Sequence, residues 1–140
     1  MPVEGFSESD QSLFLAAVHG EQKKVVESIE KGADVNLRNT SGKTALMGAA
    51  ANGNIRIAKI LLAYGADISL ADKKGSTALM DAVVFDQEEL VVLLISIGAD
   101  VNAKDLSNKS VLERAEQRGN EKIIALLQAS GATKEPNKDE

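Results

Sequence analysis

The sequence predicts an all-α fold, mainly helical with short β-hairpin loops, in which four helix-turn-helix repeats stack into an elongated α-solenoid. The first observation is the tripeptide Gly-Ala-Asp, which recurs at residues 32–34, 65–67 and 98–100, with Gly-Ala-Thr at 131–133. The second is that leucine occupies positions 13, 46, 79 and 112, which have the same spacing. Self-similarity at a fixed period of about 33 residues indicates stacked units that bury one shared core.

Composition is the third observation, and it also excludes several classes of protein. Hydrophobic residues make up 44% of the chain but aromatic residues only 3%, which favours a core of closely packed helices. There is no cysteine, so disulfides and thiolate metal sites are excluded. The N-terminal residues show no signal peptide and no run approaches the length of a membrane span, so a cytoplasmic protein without membrane contact is expected. The net charge of −5 argues against a nucleic-acid partner.

The repeats follow one another without insertions. If the first begins at Phe6, almost the whole chain is assigned to a single domain spanning 6–133. Residues 1–5 are then an N-terminal extension, and the charged residues 134–140 are expected to form a disordered tail. The four predicted repeats are 6–38, 39–71, 72–104 and 105–137.

The second repeat shows how each unit is built. Thr44 precedes an alanine-rich segment and is a suitable N-cap for a first helix that ends at Asn52-Gly53. A second helix is predicted from Ile55 to Tyr64, with Gly65 as its left-handed C-cap. The residues that follow favour β-turns and predict a projecting hairpin. In the third repeat Asp86 stands where the other repeats place glycine, and aspartate tolerates the left-handed conformation.

Short motifs within the repeats identify a family. Thr-Ala-Leu-Met-Gly-Ala at 44–49 and Thr-Ala-Leu-Met-Asp-Ala at 77–82 are close to the signature Thr-Pro-Leu-His-x-Ala, and Gly-Ala-Asp-Val-Asn occurs at 32–36 and 98–102. The chain therefore resembles ankyrin-repeat proteins over four repeats. The proline and histidine of the signature are absent, so the hydrogen bonds of that histidine are not expected here. The resemblance implies a non-catalytic module that binds another protein on a concave face, formed by the hairpin tips and the first helices.

On that face the sequence predicts a partner-binding surface that is mostly cationic, which would attract an acidic segment of a partner protein. Phe85, an aromatic residue at the end of a first helix, is its expected anchor. The alternative is that the basic residues only keep the array in solution and that Phe85 packs on its neighbours. The predicted partner-binding residues are Arg38, Thr40, Lys43, Asn52, Lys73, Lys74, Val84, Phe85, Lys104, Leu106, Lys109 and Arg118.

Two other classes of function are weighed against partner binding. An enzyme is disfavoured because His19 is the only histidine, no cysteine is present and Glu88 and Glu89 fall on a predicted helix surface; no cofactor or metal is expected. A self-associating structural protein would instead use the outer face of the second helices, where Val92 and the apolar segment 90–95 lie. A monomer is the expected state of the unbound protein.

Overall fold

The computed structural model describes residues 8–133 as eight helices in four pairs. The expected extension at residues 1–5 and the expected tail at 134–140 lie outside the described residues. The pairs recur at the period that the sequence predicts. The helices are α1 Glu8–His19, α2 Gln22–Glu30, α3 Ala45–Asn52, α4 Ile55–Ala63, α5 Ala78–Val84, α6 Glu88–Ser96, α7 Val111–Arg118 and α8 Glu121–Ala129.

The helices form two layers. One layer contains the first helix of each pair, stacked in the order α1, α3, α5 and α7. The other layer contains the second helices, stacked in the order α2, α4, α6 and α8. The periodic leucines, one in each first helix, lie between the layers with only 1–3% of their surface exposed. They therefore form the continuous core of a mainly helical solenoid, which confirms the predicted fold class.

Side-chain caps fix where three of the first helices begin. The hydroxyl oxygens of Thr44 and Thr77 accept hydrogen bonds from the backbone N–H groups of Met47 and Met80. Ser110 caps α7 in the same way, and the Glu113 carboxylate accepts from the Ser110 backbone N–H to complete a capping box. The predicted cap at Thr44 is therefore confirmed, and the same chemistry starts the next two repeats.

Helix ends agree with the sequence to within one residue. Helix α3 ends at Asn52 as expected. Helix α4 ends at Ala63, because Tyr64 already serves as its C-cap, and the left-handed residue that follows is Gly65 with φ of 94°. Asp86 has φ of 59°, which confirms that aspartate adopts the left-handed turn at this position.

Three hairpin tips project from the stack, and we call them tip 2 (residues 39–43), tip 3 (72–76) and tip 4 (105–109). In each, the N–H of the first residue donates to the carbonyl of the fifth, at 2.9–3.0 Å. The side chain of the first residue, Asn39, Asp72 or Asp105, also accepts from two backbone N–H groups of its own tip. Isolated antiparallel bridges flank tips 3 and 4, so the short hairpin loops are present as predicted.

The tips are joined to one another through their backbones. The N–H of Lys73 donates to the carbonyl of Ser41 at 3.0 Å, and the N–H of Leu106 donates to the carbonyl of Lys74 at 2.9 Å. This approach requires glycine: a Cβ atom on Gly42 would lie 2.8 Å from the Lys73 nitrogen, and one on Gly75 would lie 2.7 Å from the Leu106 nitrogen. Both glycines also have positive φ, of 80° and 81°. The tips are therefore held in register by main-chain contacts.

Asparagine side chains link neighbouring repeats on the opposite side of the loops. Asn36 donates to the Gly65 carbonyl and accepts from the Asp67 N–H at 2.7 Å. Asn102 makes the equivalent bonds to the fourth repeat. The second repeat has Ser69 in this register, and its side chain bonds only to Asp67 of the same repeat. The second and third repeats are instead joined by the tip contacts and by Gln87, whose side-chain amide donates to the Ala51 carbonyl at 2.9 Å.

Candidate functional site

The three tips and the first helices α5 and α7 line a groove with a volume of about 1010 Å³, which we call the concave groove. Seven of the predicted partner-binding residues line it: Thr40, Lys43, Lys73, Lys74, Val84, Leu106 and Arg118. The other five, Arg38, Asn52, Phe85, Lys104 and Lys109, lie outside its lining. Of these, Asn52 donates its side-chain amide to the Val18 carbonyl at 2.7 Å and so joins the first two repeats.

Two apolar side chains are exposed beside this groove. Leu106, on tip 4, has 78% of its surface exposed, and Phe85, directly after α5, has 56% exposed. Neighbouring residues therefore leave more than half of Phe85 uncovered. Exposed apolar side chains flanked by charged ones are a common feature of surfaces that bind other proteins.

Several charged groups of the concave groove are already paired with one another. The Lys43 ammonium lies 2.8 Å from an oxygen of Asp72 and 3.2 Å from an oxygen of Asp81. Arg114 holds Asp105 at 2.6 Å, and Arg118 binds Asp86 outside the lining. In contrast, within residues 8–133, Lys73 and Lys74 form no ion pair and are exposed. Among the basic residues of the groove lining, the two without an ion pair are thus both on tip 3.

Among the lining residues that the sequence does not predict, Asp81, Arg114 and Gln117 lie inside helices, whereas the predicted surface consists of residues at tips and helix ends. Asp81 and Arg114 occupy the same position of the repeat. A signal was present in the repeat register, because this position holds Leu15, Gly48, Asp81 and Arg114 in turn. When one repeat position varies from apolar to acidic to basic in an otherwise regular array, its side chains are not part of the shared hydrophobic core. Such variation therefore indicates a surface position.

The pKa directions of the Lys43 cluster follow from its geometry. Burial raises the pKa of Asp81, and the charge of Lys43 only partly offsets that effect. Burial also acts to raise the pKa of Asp72, but hydrogen bonds from Lys43 and from the Ser76 and Lys74 backbones lower it below its ordinary value. Desolvation acts to lower the pKa of Lys43, but its bond to Asp72 and the charge of Asp81 raise it. Lys43 therefore stays protonated, and Asp81 is the group whose ionised form is disfavoured.

The rim beyond α5 contains a second set of polar contacts. Arg118 donates to one Asp86 oxygen, and Asn120 donates to both Asp86 and Glu88. The hydrogen bond from Arg118 lowers the pKa of the Asp86 carboxyl. Arg118 thus joins the third and fourth repeats as well as lining the groove.

The second helices form a different and more apolar groove on the other side of the stack. This outer groove has a volume of about 790 Å³, and its floor includes Val92, Leu93 and Leu126. Val92 is 49% exposed and Ile97, further along the chain, is 44% exposed. Leu90, Val91 and Leu94 are buried, so the apolar segment of α6 contributes mainly to the core and leaves a narrow exposed stripe.

Residues 8–133 contain one histidine and no cysteine among the side chains that usually bind metals. No group of three or more His, Asp or Glu side chains there could hold a metal ion. His19 is exposed and lies 4.0 Å from Glu21. None of the helices described between residues 8 and 133 combines the length and apolar character needed to cross a bilayer.

Paired helices, projecting tips and a concave groove define a repeat protein of the helix-pair solenoid class. Residues 13–105 match the family model for ankyrin repeats in three copies, which is more than half of the chain. The protein belongs to the ankyrin-repeat family, and domains of this family are generally protein-interaction modules without catalytic activity. The fourth helix pair, α7 and α8, extends the array beyond the matched region.

Individual relatives share only part of their length with this chain. It is 42% identical over 57 residues to a probable E3 ubiquitin-protein ligase, XBOS33, of Oryza sativa subsp. japonica, covering 41% of this chain and 11% of that protein. It is 38% identical over 60 residues to acyl-CoA-binding domain-containing protein 2 of Arabidopsis thaliana, covering 39% of this chain and 17% of the relative. The matches thus span less than a fifth of either relative.

Proposed function

We propose that this protein is a non-catalytic binding module that takes up an acidic segment of a partner protein in the concave groove. The observation that carries this proposal is the placement of exposed apolar and unpaired basic side chains on one surface. Lys74 on tip 3 is joined through its carbonyl to Leu106 on tip 4, and both line the groove. An apolar partner side chain could contact Leu106 while neighbouring carboxylates face Lys73 and Lys74.

Phe85 offers a second exposed apolar side chain, directly after Val84 of the groove lining. It follows α5, whereas Leu106 lies on a tip that precedes α7. A bound segment that reaches both would contact an apolar side chain from each of these two repeats. Aromatic residues of this kind often supply a large part of the binding energy of an interface. Three of the other predicted residues, Arg38, Lys104 and Lys109, lie outside the groove lining and would add contacts or charge at the periphery.

The proposal predicts the outcome of affinity capture with variants of matched chemistry. The double variant Phe85→Ala, Lys74→Glu should weaken binding of a specific protein by roughly thirtyfold or more, since it removes an anchor and reverses a rim charge. The control Val92→Ala, Lys59→Glu makes the same kinds of change on the outer groove and should bind as the wild type does. Binding should also weaken with rising salt concentration. Equal capture by both variants, or binding indifferent to salt, contradicts the proposal.

A second candidate function is self-association through the outer groove, and the exposed Val92 and Ile97 favour it. We expect a monomer, because the exposed stripe is narrow and stable interfaces bury about 800 Å² on each partner. Sedimentation velocity over a wide range of concentrations measures this directly. Self-association is supported if the sedimentation coefficient rises with concentration and if Val92→Glu returns it to the monomer value.

A further inference from the structure

One carboxylate of the concave groove is placed unlike any other in the described repeats. Asp81 lies on α5 with 5% of its surface exposed, and it lines the groove floor. At the same register the second repeat has Gly48 and the fourth has Arg114. Among the described repeats, the third is therefore the one that places a buried acidic side chain at this register position.

Asp81 shares its cation with another acid. The Lys43 ammonium donates to Oδ2 of Asp72 and to Oδ2 of Asp81, while the other oxygen of Asp81 accepts from the Ser76 hydroxyl at 2.9 Å. Asp72 has two further donors, the backbone N–H groups of Lys74 and Ser76. When both acids are ionised, the cluster of Lys43, Asp72 and Asp81 holds one excess negative charge, and Asp81 is the less well compensated member.

The described elements around Asp81 offer no second counter-ion. Helix α3 presents Gly48 at the same register, and the facing residue of α7, Arg114, is bound to Asp105 through two nitrogens. The acids Asp86, Glu88 and Glu89 come after the C-terminal end of α5, away from its first turn. Lys73 and Lys74 lie on the exposed part of tip 3. Asp81 therefore depends on Lys43 for its direct ion pair.

We propose that Asp81 is a proton-operated switch of the concave groove: when it takes up a proton, Lys43 faces Asp72 alone, and the groove becomes one charge more positive and binds an acidic segment more tightly. This inference rests on the proposed function, whose partner it would regulate. The proton adds to the Asp81 carboxylate and takes the place of its ion pair with Lys43, and no other covalent bond is made or broken.

The order of protonation supports this assignment. Burial raises the pKa of Asp81 while the hydrogen bonds to Asp72 lower the pKa of that group. Asp81 therefore protonates first as the pH falls from neutral. A bound acidic segment disfavours the ionised form further, so binding and proton uptake favour each other reciprocally.

The first test uses the free protein and needs no partner. Carboxyl carbon NMR shifts, followed from neutral to acidic pH, should show Asp81 titrating above the ordinary value of 3.8 and Asp72 below it. Lys43→Gln should move the titration of Asp81 to still higher pH, an effect that a purely structural role would not produce. Titration of Asp81 at or below the pH at which Asp72 titrates overturns the proposal.

The second test measures binding of a labelled peptide in which several cysteic acids flank one leucine, because sulfonates stay ionised throughout this range. The affinity of the wild type should rise by at least about fivefold as Asp81 protonates. Asp81→Asn should bind tightly at neutral pH and lose this pH dependence, whereas Asp100→Asn removes an equal charge outside the groove lining and should keep it. Equal pH dependence in wild type and Asp81→Asn overturns the switch.

The two tests separate the switch from the proposed function. If NMR shows that Asp81 titrates at raised pH but the peptide binds at no pH, the acidic-segment function is contradicted. The NMR result then still supports the proton site. A peptide that binds without any pH dependence supports the function and overturns the switch.

Discussion

Replacing Gly75 by alanine is expected to lower the free energy of unfolding by about 3 kcal/mol. Two costs add at this residue. A non-glycine residue at φ of 81° costs about 1–2 kcal/mol, and a Cβ atom 2.7 Å from the Leu106 nitrogen forces tips 3 and 4 apart, at a cost of about 1–3 kcal/mol. The hydrogen bond from Leu106 to the Lys74 carbonyl would also lengthen. Urea denaturation followed by circular dichroism measures the loss.

Gly98 provides the matched control for this substitution. It has φ of 98°, but a Cβ atom there would have no neighbour within 4 Å. Gly98→Ala should therefore carry only the conformational cost, about 1–2 kcal/mol. Tip 4 shows that the conformational cost alone is tolerated, because Asn108 occupies the position equivalent to Gly75, has φ of 63° and is exposed. Equal losses for Gly75→Ala and Gly98→Ala would show that tip stacking adds nothing to the effect.

Replacing Lys43 by methionine is the second substitution for which we expect a large effect, a loss of about 2 kcal/mol at neutral pH. It leaves Asp72 and Asp81, whose side chains are 4% and 8% exposed, without their cation. Removing one partner of a buried pair costs about 3–5 kcal/mol, and the value is reduced here because the Lys43 side chain is 36% exposed.

The loss should depend on pH in a definite direction. The pKa of Asp81 is raised, so its ionised form costs stability at neutral pH, and that cost is relieved as the pH falls through the folded-state pKa. The pKa of Asp72 is lowered, so its contribution is complete above the unfolded value of 3.8 and is lost as the pH falls through the folded-state value. Without Lys43 both carboxyls would protonate at higher pH, so the difference between variant and wild type should shrink on mild acidification.

Thermal unfolding at several pH values tests this dependence. Lys73→Met is the control, because Lys73 is exposed and its side chain has no ion pair within residues 8–133, and it should change stability by no more than about 0.5 kcal/mol. Adding Asp81→Asn to Lys43→Met should restore part of the loss. A Lys43→Met protein as stable as the wild type, or less stable by an amount that acid does not change, would contradict this account of the cluster.

Most of the fold could be predicted from the sequence because the same pattern of caps, glycines and apolar residues recurs in every repeat. Thr44 and Thr77 mark helix starts through a local hydrogen bond, and Gly65 and Asp86 mark helix ends through local backbone conformation. The periodic leucines locate the core for the same reason. Such features depend on neighbours within a few residues, and local rules describe them well.

The candidate site was harder to predict because its contacts cross between repeats. Lys43 and Asp81 are 38 residues apart, and nothing in the sequence around either residue indicates that their side chains pair. Arg118 is predicted as a partner-binding residue, and in the structure its guanidinium pairs with Asp86 of the preceding repeat. Formal charges alone predict a cationic surface, but within the groove lining ion pairs engage Lys43, Arg114 and Arg118, so that Lys73 and Lys74 are the basic residues without one.

The backbone hydrogen bonds between tips have a consequence for how the protein can change. Ser41, Lys73, Lys74 and Leu106 align neighbouring repeats through carbonyl and N–H groups that every residue except proline can supply. Their side chains are exposed and carry none of that alignment. Mutation can therefore alter the residues offered to a partner while the scaffold keeps its geometry, so that new binding specificities are accessible by single substitutions at the tips. Libraries randomised at these four positions should yield mostly folded proteins.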